Sequence, residues 1–351
     1  MYICPASHSE GDLRVDDHPL APITTFHYQI LDTPEAVGFE TETAALAAVL
    51  TGLHEGLETL ALTSESAPLT TLAQLPQLRW PRLRRLAFYG TPWTEHHSVV
   101  AALTTGMQCL RDLSFKLYTT TSQTKIRTHD RLQLSLPLER LVLSEPNPRD
   151  AVFEHLPPTL SALSLRNWPH LHFHQYLHDI ASDVYDNPRY DILLDSSDGL
   201  SVLRRCVGLS LDQLEIEYRA DEGEDALLQF MVVNFPHLTS LKLHRYRSAL
   251  EQREGRDVSA VSHNLPIPPC CTDCYLERHF AELLAPLSQL CRFKGYLDFV
   301  DMPRPRVVSL GPRLGFRYEY HPSQIQHCRE VTLITATVFA QVLSRAHGAQ
   351  C

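Results

Sequence analysis

Three cysteines and a histidine fall within ten residues in PCCTDCYLERH, Pro269 to His279. Cys271-x-x-Cys274 holds two thiolates at a spacing that can share one tetrahedral zinc ion. A structural site needs four ligands and normally a second pair. His279 and His263 are the candidates for it, with Cys270 adjacent. A single C-x-x-C is half a motif, and a plainer reading competes. The preceding EQREGRDVSAVSHNLPIPP has the composition of an exposed loop. The following YLERHFAELLAPL has the spacing of an amphipathic helix, with Leu276, Phe280, Leu283 and Leu287 on one side. Asp273 would then be the N-cap, and His279 would lie beside the apolar stripe. We favour this loop-to-helix junction over a metal site.

HLHFHQYLHD raises the same question. His170, His172 and His174 would share one face of a strand, whereas His174 and His178 would share one face of a helix. Either set could ligate a metal, but one backbone cannot supply both. Leu171, Phe173 and Leu177 have the pattern of core. DSSDG (Asp195 to Gly199) resembles a fragment of a calcium loop, without the D-x-D-x-D-G spacing or the distal Glu. Asp198 or Ser201 capping the helix LSVLRRC is the simpler expectation. In ADEGEDA the carboxylates suit the positive end of a helix dipole. There is no G-x-S-x-G, H-E-x-x-H, P-loop or G-x-G-x-x-G. The expectation is a chain that is not an enzyme and has no cofactor.

What must position any of these groups is a repeat. L-x-x-L-x-L recurs as LETLAL (Leu57), LRRLAF (Leu83), LRDLSF (Leu110), LERLVL (Leu138), LSALSL (Leu160), LDQLEI (Leu211) and LTSLKL (Leu238). The first five copies are separated by 26, 27, 28 and 22 residues, and the last two by 27. Leucine-rich repeats have periods of about 20–29 residues. Doubled steps, 160 to 211 and 238 to 290, signal insertions or distorted copies, one of them LCRFKGYLDF. CREVTL, with Cys328, Val331 and Leu333, is a degenerate eighth candidate. The leucine alternation predicts short strands with one apolar face. ETAALAAVLTGL, HSVVAALTTGM and EDALLQFMVVNF predict helices between them. TTFHYQIL predicts a first strand closing the stack. A strand–helix unit cannot bury its apolar face alone, so neighbours must stack. The Asn or Cys three positions after the last leucine is replaced by Glu65, Thr91, Tyr118, Pro146, Trp168, Arg219 and Tyr246, which predicts irregular turns. The expected fold is α/β, an irregular leucine-rich-repeat solenoid with a curved parallel sheet on the concave side and helices on the convex side. The expected layout is a polar tail over 1–22 and one solenoid over 23–351, with insertions around 172–200 and 247–275.

Composition narrows the function. The net charge is -10 with His neutral, and lysine occurs only at Lys116, Lys125, Lys242 and Lys294. A nucleic-acid backbone binder needs clustered cations, so none is expected as partner. No run reaches the ~18 apolar residues of a membrane span. MYICPASHSEGDLRVDD lacks the charged and apolar regions of a secretory leader. The expectation is an intracellular protein, cytoplasmic or nuclear, whose nine cysteines are free thiols.

At FPHLTSLKLHRYR (Phe235 to Arg247) and LSQLCRFKGYLDFVDMP (Leu287 to Pro303), the chain resembles the repeat region of fungal F-box/leucine-rich-repeat proteins. The resemblance covers roughly residues 45 to 335. It implies a protein-recognition module related to the substrate-recognition subunits of cullin ubiquitin ligases. In that family an F-box of the type L-P-x-E-[IL] near the N-terminus docks the ligase adaptor. No such motif is found here, which leaves the adaptor contact open.

Solenoids bind partners on the strand face. The positions between the leucines should present Arg85, Asp112, Ser114, Lys116, Arg140, Arg166, Glu215, Glu217, Lys242 and His244 there. Tyr89, Trp93, Tyr118, Trp168 and Tyr246 fall at the strand ends. Tyr, Trp and Arg most often dominate interface energy, although aromatics can equally plug the stack. The expected function is a non-enzymatic protein–protein interaction module. The alternative is a zinc-binding protein or enzyme using the His170–His178 or Cys270–His279 cluster.

Overall fold

A computed structural model of the chain describes residues 23–28, 40–63, 67–68, 71, 79–90, 106–117, 136–168, 193–248, 272–297, 306–309, 316–319, 329, 333 and 336–345. The chain divides into two compact units, Met1–Trp168 and Pro169–Cys351, where the sequence suggests one array over 23–351.

Each clear leucine motif of the first unit becomes a strand. These are β2 (Thr59–Thr63), β3 (Arg85–Gly90), β4 (Asp112–Leu117), β5 (Arg140–Leu143) and β6 (Ala162–Leu165). β1 (Thr25–Tyr28) precedes them and pairs with β2, as the alternation of Phe26 and Tyr28 predicts. All six run parallel in chain order, leucine beside leucine: Leu60 pairs with Leu86, Leu86 with Leu113, Leu113 with Leu141 and Leu141 with Leu163. Helix α1 (Glu40–Leu53) lies between β1 and β2, and a 3₁₀ turn (Ala151–Glu154) between β5 and β6. α1 is tied to β1 by the Tyr28 hydroxyl, which donates to Glu42. Burial first, and that carboxylate second, hold the phenol's proton well above its usual range.

A repeated backbone device sets the register. Two successive N–H groups at each strand start share the carbonyl that precedes the previous strand. Glu58 and Thr59 donate to Thr24, Arg84 and Arg85 to Glu58, Arg111 and Asp112 to Arg84, Glu139 and Arg140 to Arg111, and Ser161 and Ala162 to Glu139. Just upstream, the N–H of Leu83, Leu110 and Leu160 closes a turn onto Trp80, Met107 and Pro157. Each of these turn residues is buried, so these three copies carry an apolar plug three positions before the first leucine. Where asparagine would stitch the turns, two hydroxyls act instead. Thr63 Oγ1 donates to the Tyr28 carbonyl, and Ser144 Oγ to that of Phe115.

The second unit repeats the scheme with an α-helix between each described strand of its parallel sheet and the next. β7 (Leu194–Asp195) leads into α2 (Ser196–Arg205), then β8 (Gln213–Arg219), α3 (Glu224–Asn234), β9 (Ser240–Tyr246), α4 (Thr272–Leu284) and β10 (Arg292–Leu297). β7 runs parallel to the end of β8, β8 to β9, and β9 to β10. The shared-carbonyl device recurs: Thr239 and Ser240 donate to Asp212, and Cys291 and Arg292 to Thr239. The helices pack on the leucine face. A Cβ at Gly199 of α2 would stand 3.2 Å from Ile216 Cδ1 of β8, so a larger residue there would require the Ile216 side chain to give by a few tenths of an ångström. On the same face Arg245 of β9 forms a double hydrogen bond to Glu224 of α3, at 2.9 and 3.1 Å. β11 (Arg306–Ser309) and β12 (Phe316–Glu319) form a separate antiparallel pair, which the repeat pattern does not anticipate. The unit is thus α/β with parallel strands and packed helices.

Four local expectations are corrected. α2 begins at Ser196, so Asp198 lies in its first turn and Ser201 Oγ donates back to the Ser197 carbonyl. The cap comes from a later loop, where Asp221 accepts from the Ser197 and Gly223 amides. Asp273 lies inside α4, as its second residue, rather than at its cap, a shift of two residues at a helix end. Among the described side chains, the buried stripe of α4 is Phe280, Ala281 and Leu284, continued by Leu287, with Leu283 half-buried; the Leu276 side chain lies outside them. Leu333, counted in the eighth copy, is helical and 68% exposed, so it is no core leucine; Cys328 and Val331 lie outside the described residues. The copy at Leu290 does form a strand, although a glycine stands in it where the repeat has leucine. Gly295 pairs with Leu243, and the Phe293 ring fills its place, within 3.2 Å of where a Cβ would be. That ring stacks on Phe339 at 4.9 Å.

Candidate functional site

Because strand side chains alternate, the leucines of β3 to β6 send every intervening residue to the opposite face. Register then sorts that face of the first unit into three rows. Arg85, Asp112, Arg140 and Ala162 are direct neighbours across β3 to β6. Ala87, Ser114, Val142 and Ser164 form the next row. Tyr89 and Lys116 pair in the third, which Arg166 and Trp168 extend from the end of β6.

The first row is an alternation of charge. Arg140 Nε stands 3.8 Å from Asp112 Oδ2. Both arginines are exposed and the aspartate is half-buried. Burial is the largest influence on Asp112 and raises its pKa; Arg140, Arg85 and Lys116 pull it the other way and do not prevail. The third row is a cation–aromatic cluster. Lys116 Nζ lies 4.9 Å from the centre of the Tyr89 ring and 4.9 Å from that of Trp168. It also donates to the Tyr89 hydroxyl at 3.3 Å. The two rings meet edge to face at 5.9 Å, and the Arg166 guanidinium lies 5.2 Å from the indole. Contacts of this kind contribute about 0.5–1 kcal/mol each when exposed, more when dry. The middle row is nearly closed to solvent: Ser114 is 6% exposed and its Oγ has no hydrogen-bond partner.

The second unit carries a different face. Glu215, Lys242 and Lys294 are neighbours across β8, β9 and β10, followed by Glu217, His244 and Tyr296. Glu215 lies 3.9 Å from Lys242 Nζ and 3.7 Å from His244 Nε2. The Tyr246 hydroxyl donates to Glu217 at 2.8 Å, and both residues are buried. Tyr246 therefore packs inside the unit instead of forming part of an exposed rim. Tyr296 is 38% exposed and stacks beside His244. The sequence points to Tyr296 only weakly, because its strand departs from the leucine pattern at Gly295.

Of the residues expected to meet a partner, Arg85, Tyr89, Lys116, Arg140, Arg166 and Trp168 gather on one face of the first unit. Glu215, Lys242, His244 and Tyr246 gather in the second. Trp93 and Tyr118 lie outside the described residues. So do Cys270, Cys271 and the histidines from His170 to His178, and of Cys274 only the backbone, within α4, is described. His279 is described, with its Nε2 2.9 Å from Asp225 Oδ1, joining α4 to α3. Among the described residues no group of three or more His, Cys, Asp or Glu is placed to hold a metal. No described helix is long and apolar enough to cross a membrane. Burial pushes the Cys206 thiol up to about 12, so it is protonated at neutral pH and has no nucleophilic character.

No protein-family model matches the chain, and no curated protein matches it.

Proposed function

We propose that the chain is a non-enzymatic protein-recognition module of the leucine-rich-repeat type, with the strand face opposite the leucines as its binding surface. One observation carries this reading: register gathers arginine, lysine, tyrosine and tryptophan from separate copies into adjoining rows of the first unit. Those residue types supply most interface hot spots. A repeat array offers such a row without a pocket, which suits a peptide or protein surface better than a small molecule. The resemblance to fungal F-box/leucine-rich-repeat proteins makes substrate recognition for a cullin ubiquitin ligase the more specific form of the proposal.

The test is affinity purification of the tagged chain from its own cells, with mass spectrometry of the co-purifying proteins, in parallel with Arg140→Glu combined with Arg166→Glu. Partners enriched with the parent chain should fall to background with the variant, while its circular dichroism and melting are unchanged. Partners retained in full by the folded variant would remove this face from the function. Co-purification of the ligase adaptor supports the ubiquitin form; other partners without it restrict the proposal to a recognition module.

A further inference from the structure

We propose that the strand face of the first unit takes an extended acidic peptide segment of its partner, laid across β3 to β6 on the Ala87–Ser114–Val142–Ser164 row. This rests on the protein-recognition reading above and adds the chemistry of the occupant. Charge comes first. Among the described residues of this face, four cations (Arg85, Lys116, Arg140 and Arg166) surround one carboxylate, Asp112. The whole chain carries -10, so the cationic face is a local arrangement rather than a reflection of composition. Field from such a face steers and holds an anionic partner.

Geometry selects a peptide. The cations form two walls with the small row between them. Successive rows are two residues apart, so the walls are ~13 Å apart along the strands. Arg85 and Arg140 are two strands apart, ~10 Å. One phosphate cannot meet cations so dispersed, whereas carboxylates on alternating sides of an extended chain reach both walls. Tyr89 and Trp168 add flat apolar surface on one wall. Independently of the cations, Ser114 supplies a second observation. Its hydroxyl lies in the middle of the floor, 6% exposed and without a hydrogen-bond partner. A buried hydroxyl in that state has a standing cost, which a carbonyl or carboxylate oxygen of a bound segment relieves.

The full chain should be titrated into a fluorescein-labelled ten-residue peptide of repeating Glu-Glu-Ala-Ala, which puts carboxylates on both sides of an extended chain, with anisotropy as the readout. A Lys/Ala peptide, and a neutral peptide bearing one phosphoserine, serve as comparisons. We expect the Glu peptide alone to bind, with affinity falling as salt rises. Arg85→Glu with Arg140→Glu should weaken it about tenfold or more. Arg204→Glu with Arg292→Glu makes the same change in net charge elsewhere and should leave it within about twofold. If the first pair does not fold, Arg85→Gln with Arg140→Gln takes its place. Equal losses from both pairs would overturn the site, and tighter binding of the phosphoserine peptide would overturn the carboxylate assignment. No binding of the Glu peptide, while cellular partners are still lost with Arg140→Glu and Arg166→Glu, would overturn this inference and leave the recognition reading standing. No partner dependent on this face in either assay would remove both.

Discussion

Asp112 is the residue where burial and charge oppose each other most directly. It sits between Arg85 and Arg140 in register, yet its pKa is raised. The folded chain therefore holds this proton to higher pH than the unfolded chain does. Its contribution favours the fold increasingly as pH falls through the folded pKa toward the ordinary carboxylate range. Above that window the ionised group opposes folding. Asp112→Asn should make the chain equally or slightly more stable at neutral pH, and should flatten the pH dependence of stability on the acidic side. Urea denaturation at several pH values reads both effects; a variant less stable at neutral pH would show that the arginine pairing outweighs the burial. That Asp112 faces the arginines is legible from its place in the motif. Its burial is not, because exposure depends on neighbouring strands that a linear pattern does not specify.

Among the elements, the pairing of α3 with β9 shows how a repeat departs from its own rule. Position 245 lies on the leucine face of β9, where an apolar residue is expected, and holds an arginine only 2% exposed. It is accommodated because Glu224, in the first turn of α3, meets it with two hydrogen bonds, and the Phe280 ring of α4 lies 5.7 Å away. Glu224→Ala would leave the guanidinium buried without that partner and should destabilise the chain by about 3 kcal/mol. Glu224→Gln, which keeps an acceptor, should recover part of this. Thermal or urea melts decide it; a loss under about 0.5 kcal/mol, the level of a surface change, would mean that Arg245 reaches water. In the sequence, ADEGEDA reads as a solvated helix start with its acids toward the dipole. That reading holds for Asp225, which is exposed, and is incomplete for Glu224. The partner lies 21 residues away, across a connection whose geometry no local signal reports.

At the scale of the whole molecule, repetition makes stability a nearest-neighbour property within each unit. Leu141 is fully buried in β5, in register with Leu113 and Leu163. Leu141→Ala should cost about 2–5 kcal/mol. In native-state hydrogen exchange the amides of β4 and β6 should lose more protection than those of β1, three strands beyond β4. Uniform loss along the first unit would show that it opens as one block instead of copy by copy.

What the sequence by itself determined is the period. Leucine spacing specifies which residues turn inward and which turn outward, because a strand's side-chain alternation is local and has only two outcomes. Arg85, Lys116, Arg140 and Arg166 could be assigned to one face from that alone. Tertiary structure decided how those outward residues are grouped and how far they reach water. Register places Lys116 between Tyr89 and Trp168, buries Tyr246 against Glu217 and leaves the Ser114 hydroxyl without a partner. It also decided that Asp221 rather than Asp198 caps α2. These outcomes join residues from different copies. Their distances depend on connections of variable length and on packing against neighbours, so they are fixed only when the copies stack.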